Sequence, residues 1–136
     1  MAADFDFRLD EFSDPISSMQ VGLHLKGRIG SFRPITGKSG FKIDINEYAP
    51  NQRFLGLKEL TLNNMVQDRS SVSQLAAYEI FRAMDVCAPR VGYVWVRVND
   101  EAYGLYANME NYDDLLFGRC FPDTTHVYEG RYGEDL

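Results

Sequence analysis

Between Phe41 and Glu110 the hydrophobic pattern changes period twice, and that change restricts the chain to a mixed α+β fold. Phe41, Ile43 and Ile45 alternate with Lys42, Asp44 and Asn46, the two-residue period of a half-buried strand. A second strand is expected over 57–63, with Lys58, Leu60 and Leu62 on one face. The period then becomes helical: Val72, Leu75, Ala76, Glu79, Ile80, Ala83 and Met84 recur at three- and four-residue intervals. Ser71 with Gln74 fits a capping box at the start of this helix. Asp85 to Pro89 ends it. Residues 90–98 and 101–109 return to alternation and predict a hairpin across Asn99-Asp100, residue types that tolerate positive φ. Val94, Val96 and Val98 are expected on its core face, and Tyr93 and Trp95 on the other. Gly104 would weaken the pairing and allow a ligand or strand to approach closely.

The N-terminal part is strand-like as well. Phe5, Phe7 and Leu9 alternate with Asp6 and Arg8, suggesting a short edge strand broken by Asp14-Pro15. Residues 19–27 place Val21, Leu23 and Leu25 on one face and Gln20, His24 and Lys26 on the other. His24 has only His126 as a companion, so it reads as a strand-surface histidine and no metal site is expected.

Residues 27–40 form a loop with four glycines and the cations Arg28, Arg33 and Lys38. Glycines let backbone N–H groups converge on an anion. A flexible strand connection with solvated charges has the same composition. Lys58 is open to two readings, a snorkelling residue at a strand end or a residue inside a pocket. Glu79 lies either at the wet edge of its apolar stripe or buried against a cation. Lys58 is the nearest upstream strand cation.

The chain has 136 residues, which suits one domain. Its net charge of −6 argues against a nucleic-acid partner, because affinity for phosphate backbones needs clustered cations. Lys26, Arg28, Arg33, Lys38 and Lys42 nevertheless fall in one window, so a local anion site stays open. Cys87 and Cys120 lack metal-ligand spacing and are expected to be free. There is no run of 18 apolar residues, hence no expected membrane span, and the first residues lack the features of a signal peptide.

Several runs, in order, resemble the spore-coat protein H (CotH) kinase family. They are residues 26–33 (KGRIGSFR), 37–43 (GKSGFKI), 53–68 (RFLGLKELTLNNMVQD) and 88–106 (APRVGYVWVRVNDEAYGLY), with the tail 126–130 (HVYEG). The resemblance implies an atypical bacterial protein kinase that transfers the γ-phosphate of ATP, with Mg²⁺, to serine or threonine of a protein substrate such as a spore-coat protein. It implies a protein-kinase-like small lobe over 20–110, a twisted antiparallel sheet of about five strands with one main packed helix. Residues 1–19 would be an extension or edge strand, and 111–136 the hinge and start of a large lobe. Lys58 would position phosphates and Glu79 would orient Lys58, so the two should approach each other. Arg28, Gly30, Ser31, Lys38, Lys42 and Glu110 would bind nucleotide. The Mg²⁺ ligands are expected outside this chain, which as it stands would not transfer phosphate. A spore coat, cell surface or secreted location is implied by resemblance only. Two other readings stand beside it. One is a non-catalytic interaction module with a binding face of Tyr93, Trp95, Tyr103 and Tyr106. The other is an α+β domain with no ligand.

Overall fold

The computed structural model describes residues 1–10 and 12–128. They form a single antiparallel sheet of six strands with two short helices, one strand more than expected. The elements are β1 (Ala2–Phe7), β2 (Ser17–Lys26), β3 (Gly40–Asp44), β4 (Glu59–Asn63), α1 (Ser73–Ala83), β5 (Val91–Val98), β6 (Glu101–Met109) and α2 (Asp114–Cys120). The spatial order is β1-β2-β3-β4-β6-β5. β1 pairs with β2 from Ala2↔Gly22 to Phe7↔Ser17, so the N-terminal residues are part of the sheet.

Alternation decides which face is dry. Val21, Phe41, Ile43, Leu60, Leu62 and Tyr106 line the core face, with Ile45 and Phe54 packed against them. Each such aliphatic or aromatic side chain contributes about 1.5–3 kcal/mol by leaving water. Phe5 and Phe7 of β1 meet the ring of Phe54 edge-on at 5.3 and 5.1 Å. The hairpin turns at Asn99 and Asp100 with φ of 48° and 68°, as their residue types require. Val94, Val96 and Val98 pack on the core. Gly104 has φ of 92° beside a register shift between Val96 and Arg97, and a Cβ there would meet nothing within 4 Å. Its role is therefore to supply a left-handed residue at a bulge, rather than the close approach expected of it. The aromatic face expected of Tyr93, Trp95, Tyr103 and Tyr106 does not exist. Tyr103 and Tyr106 belong to the core around Phe41, while Tyr93 and Trp95 lie on the opposite side.

Helix α1 departs most from the periodicity. None of its residues is buried, and Val72, Ile80 and Met84 of the expected core stripe are at least half exposed. The helix rests beside β5, where Tyr93 donates its hydroxyl hydrogen to the Ser71 carbonyl at 2.6 Å. The Ser71–Gln74 capping box does not form, because Ser71 takes φ of 59° and the N-cap position falls on Val72. Asp68 serves the helix start instead. Its carboxylate accepts from the backbone and hydroxyl of Ser70 and from the backbone and hydroxyl of Ser73, at 2.6–3.1 Å. Hydrogen bonds from Ser70, with those of Ser73, hold the Asp68 carboxyl down at about 2 against the penalty of desolvation. The folded value lies below the unfolded one, so this stabilisation is present above about pH 4 and is lost as pH falls toward 2. Melting curves between pH 5 and 2 should show wild type losing stability over that range. Asp68→Asn should start less stable and change less.

The second helix was expected only as a short helix or linker after the hairpin. Asp113 caps α2 by accepting from the N–H groups of Leu115 and Leu116, and Leu116 is fully buried. Cys120, at its end, is bonded to Cys87 in the segment after α1, with Cα atoms 5.7 Å apart. Free cysteines were expected because two cysteines make a poor disulfide framework for a chain of this size; they meet where α2 returns to the hairpin base beside the Glu110–Arg119 ion pair. Of the strand-like tail expected over 119–136, residues 121–128 form no strand and 129–136 lie outside the described residues. Among the described residues no helix is long and apolar enough to cross a membrane.

Candidate functional site

The glycine-bearing connection between β2 and β3 folds back over one end of the sheet. A cavity of about 260 Å³ lies beneath it, walled by Lys26, Ser31, Gly40, Asn64, Asp68 and Gln74 among others. Each wall has a local cause. Lys26 ends β2 and pairs with Gly40, where a Cβ would come within 2.9 Å of the lysine's Cγ. Glycine at 40 therefore lets the Lys26 side chain lie across the start of β3. Gly27 and Gly30 have φ of 131° and 81°, which a tight loop entry requires. Ser31 closes the turn, its hydroxyl accepting from the Arg28 N–H at 3.1 Å.

Asn64 locks the loop to the sheet. Its side chain is buried and donates to the carbonyls of Ser31 at 2.9 Å and Lys38 at 2.8 Å, so one amide holds both arms of the loop. Gln67 occupies the space a side chain at residue 30 would need. Asn63, at the end of β4, donates to the Gln74 side chain of α1 at 3.1 Å. Sheet, loop and helix thus share one polar junction.

Lys26 carries the positive charge of this junction. Burial pulls its ammonium below the ordinary lysine value, a trend opposed by the nearby Tyr78 hydroxyl. Among the described residues no carboxylate lies within salt-bridge distance of it. Asp68 adds one negative charge to the wall, but its oxygens are turned to Ser70 and Ser73.

The residues singled out from sequence are dispersed. Lys58 lies before β4, exposed, and its carbonyl accepts from the Ile45 N–H at 2.8 Å. That is the end of the sheet away from the glycine loop, since β4 runs from Glu59 beside Asp44 to Leu62 beside Phe41. Glu79 is exposed on α1 and forms an ion pair with Arg82 one turn later. The expected approach of Lys58 and Glu79 does not occur, because a strand face fixes direction but not which end of the strand a residue occupies. Lys42 sits mid-strand on the face opposite the core, 3.0 Å from Glu59 and 3.7 Å from Asp44. Burial lowers its ammonium and these two carboxylates more than restore it, leaving it above the ordinary value. Lys38 has its ammonium 5.2 Å from the centre of the Tyr106 ring, and burial lowers its pKa. Glu110 accepts from the Arg90 N–H at 2.9 Å and from Arg119 at 2.6 Å, which clasps α2 to the hairpin base. Arg28, Gly30 and Ser31 stay together in the loop, with Arg28 exposed.

The sequence placed Lys26 on the outward face of its strand and in a basic window, and gave Asn64, Gln67 and Asp68 no role. The adjacent amides Asn63-Asn64 directly after an apolar strand were the available signal for a polar junction.

None of the curated proteins matches the chain. Residues 23–133 match the family described as CotH kinase protein.

Proposed function

Because the chain belongs to the CotH kinase protein family, we propose that it binds the phosphates of ATP as the small lobe of a phosphotransferase acting on serine or threonine of a protein. One observation carries the reading: a half-buried lysine with no carboxylate partner among the described residues lines a polar cavity under a glycine-bearing loop. A desolvated cation of that kind is stabilised by an incoming anion. The element order supports the same reading, with the glycine loop followed by two strands, a helix and a hairpin, as the family resemblance implies.

The residues present fit a phosphate chain. Lys26 supplies charge, Ser31 a hydroxyl and Gln67 an amide group, while Asn63 and Asn64, whose amides are engaged by Gln74 and by the Ser31 and Lys38 carbonyls, shape the wall. The volume lies just under the roughly 300–1,000 Å³ of ordinary small-molecule pockets, so the nucleoside would extend outside the cavity. Arg28, exposed on the loop, would meet outer phosphate oxygens in this proposal. Lys38 and Lys42, held by Tyr106 and by Glu59 with Asp44, support the loop and strand in this proposal. Bound Mg²⁺ would neutralise phosphate charge during transfer; its ligands are assigned to a second lobe, and the present residues to binding. The Cys87–Cys120 disulfide favours a setting at the cell surface or outside the cell, where such bonds persist.

Calorimetric titration with Mg-ATP tests the reading. Wild type should bind saturably, and Lys26→Ala should weaken binding at least tenfold, about 1.4 kcal/mol. Lys58→Ala and Glu79→Ala rank the two residues named by resemblance against Lys26, and each should change affinity less than Lys26→Ala does. Absence of ATP binding, or affinity unchanged in Lys26→Ala, would remove the proposal's support.

A further inference from the structure

We propose that His24, Asp44 and Glu47 form a site for one divalent transition-metal ion of the Zn²⁺ class on the open face of the sheet. The β2–β3 register pairs Gly22 with Asp44 and His24 with Lys42, which makes His24 and Asp44 diagonal neighbours on one face. His24 Nε2 lies 3.1 Å from Asp44 Oδ2 and 3.9 Å from Glu47 Oε2. The three ligand atoms lie within 4.8 Å of one another. Ligands 2.0–2.2 Å from a common tetrahedral ion stand about 3.3–3.6 Å apart, so a small movement of Glu47 completes the geometry.

Two features hold Glu47 there, and neither is a charge. Gly22 leaves the strand surface open beneath it, since a Cβ at residue 22 would come within 2.9 Å of the Cβ and Cγ of Glu47. Gln52 fastens the turn that carries Glu47, donating its side-chain N–H to the carbonyls of Gln20 at 2.8 Å and Ile45 at 2.6 Å. The third ligand is thus folded back over the first two before any ion arrives. Lys42 is the cation in contact with this group. It engages Glu59 at 3.0 Å and touches Asp44 through Oδ1, which leaves Oδ2 facing His24.

The donor set selects the ion. One imidazole nitrogen and two carboxylates suit Zn²⁺ and its neighbours, whereas Mg²⁺ and Ca²⁺ prefer oxygen alone. His24 and Glu47 are each more than two-fifths exposed, so water can fill the remaining positions. Bound metal would join β2, β3 and the following turn, and would stabilise the fold by an amount that grows with the logarithm of free metal above its Kd. The site stands whether or not the cavity at Lys26 binds ATP.

The test is a titration of the metal-stripped 136-residue chain with ZnCl₂, beside melting curves in ZnCl₂ and in MgCl₂. One Zn²⁺ per chain should bind at micromolar concentration and raise Tm by several degrees, with no such rise in Mg²⁺. His24→Gln and Glu47→Gln should each weaken Zn²⁺ binding at least tenfold and melt like wild type in chelator. His126→Gln should bind as wild type does. The proposal is overturned if Zn²⁺ does not saturate the chain, if His24→Gln binds normally, if His126→Gln abolishes binding, or if Mg²⁺ matches Zn²⁺.

Discussion

Replacing both Cys87 and Cys120 with serine is expected to destabilise the protein by about 4 kcal/mol. The bond closes a chain segment with a sequence separation of 33 that holds the whole β5–β6 hairpin. Loop-closure entropy for that length predicts a loss of about 4 kcal/mol. In a chain of this size the loss corresponds to a fall in Tm of roughly 10–20 °C. The local packing cannot replace the bond. Helix α2 buries only Leu116 and is otherwise held by its Asp113 cap and the Glu110–Arg119 ion pair. The side chains of that pair are 31% and 19% exposed, and an ion pair that water still reaches contributes on the order of 1 kcal/mol. Scanning calorimetry of wild type with and without reductant, beside the double serine variant, checks the result. Reduced wild type should melt with the variant, and the variant should not respond to reductant. A reduced protein melting within 2 °C of the oxidised one would show that α2 is held by packing.

The same disulfide marks the limit of what could be read from the chain. Strands were legible because alternation is local: Val21, Phe41, Ile43, Leu60 and Leu62 were all assigned to the face they occupy. The hairpin was legible because Asn99 and Asp100 advertise their φ values. What was not legible depends on which end of an element meets which neighbour. Lys58 shares a strand face with Leu60 and Leu62 in the pattern, yet it precedes the strand and lies at the end away from the loop. Glu79 finds Arg82 one turn along its own helix, a contact no cross-element argument needed. The stripe of α1 is genuine as a pattern, but the helix sits beside β5 and leaves Ile80 and Met84 in solvent. Lys26 became the candidate anion-binding residue only through burial under the loop and α1. The family was legible because order and spacing of several runs survive where individual roles do not.

The second large effect should come from Tyr106, where the core and the glycine loop are joined. Its side chain is fully buried on β6 and its ring stacks on Phe41 at 5.8 Å. The hydroxyl donates to the Ser39 carbonyl at 2.6 Å. Ser39 is itself buried, and its hydroxyl donates to the carbonyls of Arg33 and Pro34. The tyrosine thus fixes the C-terminal arm of the loop, while Asn64 fixes both arms from β4. Tyr106→Ala removes a packed ring and should cost about 3–5 kcal/mol. Tyr106→Phe keeps the ring and orphans the carbonyl, costing about 1–3 kcal/mol. Burial raises the phenol to about 12, so it remains a donor at neutral pH. A pKa above the unfolded value means that stability is complete below about pH 10 and declines as pH rises toward 12. Denaturant unfolding between pH 7 and 11 should show that decline in wild type and a weaker one in Tyr106→Phe. Because the phenylalanine variant keeps the core, its effect on the loop can be read separately. Hydrogen exchange at residues 31–39 should quicken while the amides of β3 and β4 keep their protection. Equal loss of protection in the loop and the strands would mean that Tyr106 acts through the core alone.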